Sequence, residues 1–110
     1  MAQLKFRRKL GEAWVFDLTA KDRTDQRQTI AGVGDLAATL TKLDGTVLWT
    51  GDTAGCQIVE TGAATYGDFK YTRTDLTGVT LGTYHLDFKC TLFGLATKFP
   101  EDGYVIVEVI

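Results

Sequence analysis

The sequence predicts an all-β domain, an immunoglobulin-like antiparallel β-sandwich of roughly eight or nine strands, and three observations predict it. Between Leu81 and Leu92, the residues Tyr84, Leu86, Phe88, Cys90 and Leu92 alternate with Thr83, His85, Asp87, Lys89 and Thr91. Successive side chains of a strand point to opposite faces, so this stretch is a strand with one apolar and one wet face. Twelve glycines, a single proline and frequent threonine suit short strands joined by tight turns, and no window sustains a 3.6-residue period. Gly82 stands two residues before Tyr84, whose i+2 neighbour Leu86 belongs to the apolar set. That is the pattern of a tyrosine corner, in which the phenol stays in the sandwich while its hydroxyl bonds upstream backbone, and it marks immunoglobulin-like domains.

The remaining elements follow in order. Leu4 and Phe6 alternate with Lys5 and Arg7 in a first strand that runs to about Leu10-Gly11 and has one basic face. Ala13 to Thr19 form the second strand, with Trp14, Phe16 and Leu18 inward. Lys21 to Gln28 carries no apolar residue and reads as a mobile connecting loop, a solvated excursion that can also serve as a contact surface. Leu36, Ala38 and Leu40 mark a strand that ends in the hairpin turn Leu43-Asp44-Gly45-Thr46, where Asp-Gly suggests a type I′ turn. The return strand, Thr46 to Thr50, puts Val47 and Trp49 on the inner face. Cys56 to Glu60 is a short strand anchored by Ile58, and Gly67 to Thr72 is a strand with Phe69 and Tyr71 inward. Phe93-Gly94 turns the chain into a run from Ala96 to Phe99, and Pro100 belongs at an edge or bulge because it cannot donate to a ladder. Tyr104 to Ile110 is apolar on both faces except at Glu108, as in a strand that is covered on both sides or closes against a neighbour.

Composition narrows the function. A chain of 110 residues with 45% apolar content forms one domain, residues 1–110, with a core that needs no metal or disulfide. Lys5, Arg7, Arg8 and Lys9 make a basic start, which leaves eight of the twelve basic residues against all fourteen acidic ones in the rest of the chain. An acidic body without interleaved basic and aromatic residues argues against nucleic acid as a partner. The start contains no apolar signal segment and no run is long enough to span a bilayer, so neither export nor a membrane partner is expected. Cys56 and Cys90 then read as free thiols rather than a bridge.

Catalytic chemistry is not apparent. The sole histidine, His85, falls on the wet face of its strand, and the two cysteines lack both CxxC spacing and a second histidine to complete a zinc site. Asp44-Gly45 and Glu101-Asp102-Gly103 are turn chemistry rather than calcium loops. The expectation is a protein that is not an enzyme, with no catalytic, metal or cofactor residues.

Several stretches together resemble the immunoglobulin-like small structural proteins of tailed bacteriophages, the group that includes the N-terminal domain of baseplate upper proteins. Lys9-Leu10-Gly11-Glu12, then Phe16-Asp17-Leu18-Thr19 and Asp22, is similar to that family's basic-x-Gly-acidic start and first core strand. Asp44-Gly45-Thr46-Val47 is similar to its central hairpin. Gly67-Asp68-Phe69-Lys70-Tyr71-Thr72, Asp75 and Gly82-Thr83-Tyr84 with Leu86 and Phe88 resemble its G-x-v-x-Y, D and G-x-Y series. Phe99-Pro100-Glu101-Asp102-Gly103-Tyr104, running into Ile106 and Val109, resembles its closing strand. The chain departs from the pattern at Lys21 to Gln28 and at Thr29-Ile30-Ala31-Gly32, where the family has Leu-Thr-Gly. The matched residues are structural, so no binding residue comes with them.

The resemblance implies a virion protein, assembled in the host cytoplasm, that docks to tail, baseplate, neck or head in several copies through other virion proteins. Exposure nominates Lys5, Arg7, Arg8, Lys9, Arg23 and Arg27 as partner contacts, with the edge near Val105 to Ile110 as a further one and Gly82 and Tyr84 as the structural corner. The alternative is a carbohydrate- or cell-surface-binding module, which needs exposed aromatic rings to stack on a glycan.

Overall fold

Two sheets carry the core between them. The computed structural model describes residues 4–101 and 103–110; Met1, Ala2, Gln3 and Asp102 of the stretches read above lie outside the described residues. The strands are β1 (Lys5–Arg8), β2 (Trp14–Thr19), β3 (Ala37–Lys42), β4 (Val47–Asp52), β5 (Cys56–Ile58), β6 (Asp68–Arg73), β7 (Gly82–Leu92), β8 (Leu95–Phe99) and β9 (Val105–Val109). One sheet has the order β1-β9-β7-β3-β4, with β8 also paired to β7, and the other has the order β2-β6-β5. The only helical piece among the described residues is a 3-10 turn at Ala63–Thr65.

The apolar alternation seen in the sequence builds the interior. Trp14, Phe16 and Leu18 of β2 and Phe69 and Tyr71 of β6 face Leu40 of β3, Tyr84, Leu86 and Phe88 of β7 and Val105 and Val107 of β9. Phe88 receives Phe69 and Tyr71 edge-on at 4.9 and 5.4 Å, a preferred geometry because ring edges are positive and faces negative. Phe6 stacks on Phe16 at 4.5 Å, which ties β1 to the opposite sheet.

A polar lock also joins the sheets. Tyr71 of β6 donates from its hydroxyl to Asp52 Oδ2 at 2.6 Å and accepts from Trp49 Nε1 at 3.0 Å. Arg73 donates to the same carboxylate oxygen at 2.9 Å and lies over the Trp49 ring at 3.9 Å. Burial pushes the Asp52 carboxyl up, but the Tyr71 hydroxyl and the Arg73 guanidinium outweigh it and hold it below the ordinary range. The same geometry pushes the Tyr71 phenol up, by burial first and by its bond to Asp52 second.

Several sequence expectations are corrected. The sandwich is not wholly antiparallel, because β1 runs parallel to β9 in register Lys5↔Ile106 to Arg8↔Val109. Since β1 covers it, β9 is an interior strand, and Val105 to Ile110 offers no free edge. At Asp44-Gly45 only Gly45 has positive φ, at 91°, while Gly45 N–H bonds Lys42 O and Lys42 N–H bonds Thr46 O. This is a type I turn closed by a left-handed glycine, not a type I′ turn. Val47 is exposed and Leu48 partly buried, because register shifts between Ala38 and Leu40 and again between Leu40 and Thr41 place extra residues in β4 and break its alternation. Trp49 is only half-buried for the same reason.

Candidate interaction surface

The predicted basic contacts are mostly engaged within the molecule. Lys5 and Arg7 both reach Glu108 across the β1–β9 pair, at 3.0 and 3.3 Å. Lys5 first and Arg7 second hold the Glu108 carboxyl below its ordinary range. Arg8 lays its guanidinium over the Phe16 ring at 4.6 Å and donates to Val15 O at 2.9 Å, so it seals the open side of β2. Arg23 pairs with Glu101 at 3.2 Å, and Arg27 pairs with Asp68 at 2.8 Å and donates to Tyr66 O. Lys9 is exposed and its backbone N–H bonds Glu12 Oε1 at 3.2 Å. The six residues do not converge on one patch: β1 and Lys9 lie by the end of β9, while Arg23 and Arg27 belong to a separate turn.

That turn is more ordered than a solvated excursion. Asp22 accepts from the Thr24 and Gln26 N–H groups and the Thr24 hydroxyl, and Lys21 and Arg27 form an isolated antiparallel bridge. The Thr24 hydroxyl and the Gln26 N–H lead in drawing the Asp22 carboxyl down. The polar residues that gave the stretch its loop-like appearance are therefore the ones that fold it.

The longest strand positions two features that composition did not single out. β7 is flanked on one side by β3 throughout Tyr84 to Lys89, whereas its other side is shared: β9 pairs with Gly82 to Leu86 and β8 with Phe88 to Leu92. Asp87 falls at the handover. Its residue is 8% exposed although it points to the face expected to be wet, and its Oδ1 has no hydrogen-bond partner among the described residues. Around it, His85 stacks on Tyr104 at 4.4 Å and Lys98 sits over the Tyr104 ring at 4.5 Å. Lys98 spends its donors on Pro100 O and Gly103 O rather than on Asp87. Burial pushes the Asp87 carboxyl up, with the charges of Lys89 and Lys98 opposing.

The second feature is the hairpin arm where β7 continues into β8. Phe93 and Gly94, at φ 52° and 77°, form its two-residue turn, so the type I′ geometry expected at Asp44-Gly45 occurs here instead. Phe93 is 81% exposed and the neighbouring Leu95 70% exposed. A bulky side chain at positive φ is sterically unfavourable, and Asn or Asp would suit the position better. The sequence signal was a phenylalanine inside a two-residue turn between alternating strands. Beside the arm, Ala31, Gly32, Val33, Thr91 and Leu92 border a shallow recess that Phe93 overhangs.

The cysteines lie apart in the fold. Cys56 is on β5 of the smaller sheet with its thiol donating to Asp52 O, and Cys90 is buried on β7 of the larger one. Burial, and then the Asp52 charge, push the Cys56 thiol up to about 12; burial also raises Cys90. Such thiols are poor nucleophiles. No protein-family model matches the chain, and no curated protein or solved structure matches it.

Proposed function

We propose that this chain is a non-enzymatic structural protein of a tailed-phage virion, a tail, baseplate, neck or head accessory part that acts through protein contacts. The observation that carries the contact role is Phe93, an apolar ring held out to solvent at 81% exposure on a backbone conformation that disfavours it. Retaining such a residue at a turn tip is explicable when a partner buries it. The resemblance to the phage family supplies the kind of particle, and a two-sheet all-β architecture, with one sheet ordered β1-β9-β7-β3-β4 and the other β2-β6-β5, is compatible with that reading.

A glycan-binding role finds less support. Trp14 is fully buried, and Trp49 has the Arg73 guanidinium over its ring, where a sugar would stack; the exposed rings Phe93 and Tyr66 belong to different segments, one at the β7–β8 turn and one just before β6. The deciding experiment is the copy number of the protein in purified particles, quantified by mass spectrometry against the major shell protein. Hundreds of copies per particle assign it to the head surface, and a few to a few dozen to the tail or baseplate. Absence from the particle overturns the virion reading.

A further inference from the structure

We infer that two copies of this chain associate by pairing their β8 strands antiparallel about Thr97, which joins the two larger sheets into one. The inference rests on the state of the sheet edges and does not depend on the virion reading. A strand edge exposes unpaired main-chain groups, and folded proteins blunt it with charge, bulges, brevity or a cover. β1 carries Lys5, Arg7 and Arg8; β4 is twice bulged; β5 has three residues; and β2 is sealed by Arg8 at Val15 O. β8 carries a single such device, Lys98, and that ammonium is turned back onto Pro100 O and Gly103 O. Its five residues pair with β7 without a register shift, and an open groove runs beside it, lined by Arg23, Leu95, Ala96, Thr97, Lys98 and Glu101.

The hydrogen-bond phase says which groups are on offer. Thr91 N–H bonds the Asp35 carboxylate at 3.0 Å, on the side of β7 away from β8, so Thr91 and Ala96 form a pair without mutual bonds. By the same alternation Lys98 shares that phase, and the N–H and C=O groups of Ala96 and Lys98 face outward from the sheet. No backbone bond joins either residue to another element among the described residues.

Self-pairing selects one register. With Thr97 opposite Thr97 of the second copy, each Ala96 exchanges main-chain bonds with the other copy's Lys98, and each Leu95 lies opposite the other's Phe99 on the inner face. Charge favours this choice, since Lys98 meets alanine. A slip that brings Lys98 opposite Lys98 sets like charges face to face, which destabilises a pair. Leu95, at 70% exposure, also gains an apolar neighbour. Such a contact is isologous and closes at two copies.

Sedimentation equilibrium of the whole chain from about 1 to about 500 μM, a range spanning weak to firm association, tests it. The wild type is expected to form a dimer, with slow hydrogen exchange at the Ala96 and Lys98 amides that becomes fast on dilution. Ala96→Pro removes an outward N–H, and Leu95→Asp places a carboxylate opposite Phe99; both are expected to be monomers with native circular dichroism. Should Ala96→Pro fail to fold, Leu95→Asp at its exposed position and the wild-type amide exchange still decide. A wild type that stays monomeric throughout overturns the inference, as does a dimer that survives in the folded variants or leaves both amides in fast exchange.

Discussion

The Tyr84 hydroxyl donates to the Thr80 carbonyl at 2.9 Å and accepts from the Thr80 N–H at 2.8 Å, so a side chain from the middle of the core satisfies both main-chain groups of one residue in the loop leading to β7. Tyr84→Phe removes both bonds and leaves partners behind, which costs about 1–2 kcal/mol. Leu86→Ala, two residues on in the core, costs about 2–5 kcal/mol. Urea melts of the two variants measure this. A Tyr84→Phe protein as stable as wild type would show that the corner carries no stability.

Asp52 holds Tyr71, Arg73 and the Gly55 N–H together. Asp52→Ala strands a partly buried guanidinium and a buried phenol, and the expected loss is about 3 kcal/mol. Because the folded-state carboxyl titrates below its unfolded value, its stabilisation is complete above about pH 4 and is lost as pH falls through the folded value. The destabilisation caused by the substitution should therefore shrink on acidification, as read from melting temperatures of both proteins between about pH 2 and about pH 7.

Asp87 has the opposite sign. Its carboxyl is raised in the folded state, so the protein binds a proton there more tightly when folded, and the residue weakens the fold as pH rises from about 4 through the raised value. Asp87→Asn is expected to melt higher than wild type at neutral pH and alike at about pH 3. A gap that does not narrow toward acid would mean that the buried charge is not the cause.

At the tip of the arm, Phe93→Asn places the residue best suited to the first position of this turn, and stability should rise by about 1 kcal/mol. If the ring is an anchor, the same variant should load poorly onto particles in a complementation assay. A gain in stability with unchanged loading would remove Phe93 from the interface.

The thiols provide a further check on packing. With Cys56 raised to about 12 and Cys90 raised by burial, both should react slowly with a thiol reagent at about pH 8 in the folded protein and promptly in denaturant, giving two thiols per chain. Prompt labelling of Cys90 without denaturant would contradict its burial in β7.

Much of the fold was legible because a strand writes its burial at every second position. Trp14, Phe16, Leu18, Phe69, Tyr71, Tyr84, Leu86 and Phe88 occupy the interior where alternation put them. The pattern failed at Val47 to Trp49, where extra residues change the phase, and at Asp87, which sits where the neighbour of β7 changes from β9 to β8, a handover that alternation does not show. The surface was less legible. Lys5, Arg7, Arg23 and Arg27 are identifiable as charged, but sequence does not reveal that Glu108, Glu101 and Asp68 answer them. The turn at Phe93-Gly94 was legible, but a two-residue turn gives no hint of whether its ring will be covered.

The parallel pairing of β1 with β9 has a mechanical consequence. Its ladder starts with the Leu4 carbonyl accepting from Ile106 N–H and ends with the bonds of Ile110 to Arg8 and Leu10. Traction applied between residue 4 and residue 110 pulls the two strands lengthwise past each other. Every rung is then loaded together in shear rather than opened one at a time as in a zipper, so the sandwich resists stretching along the direction in which its first and last strands lie.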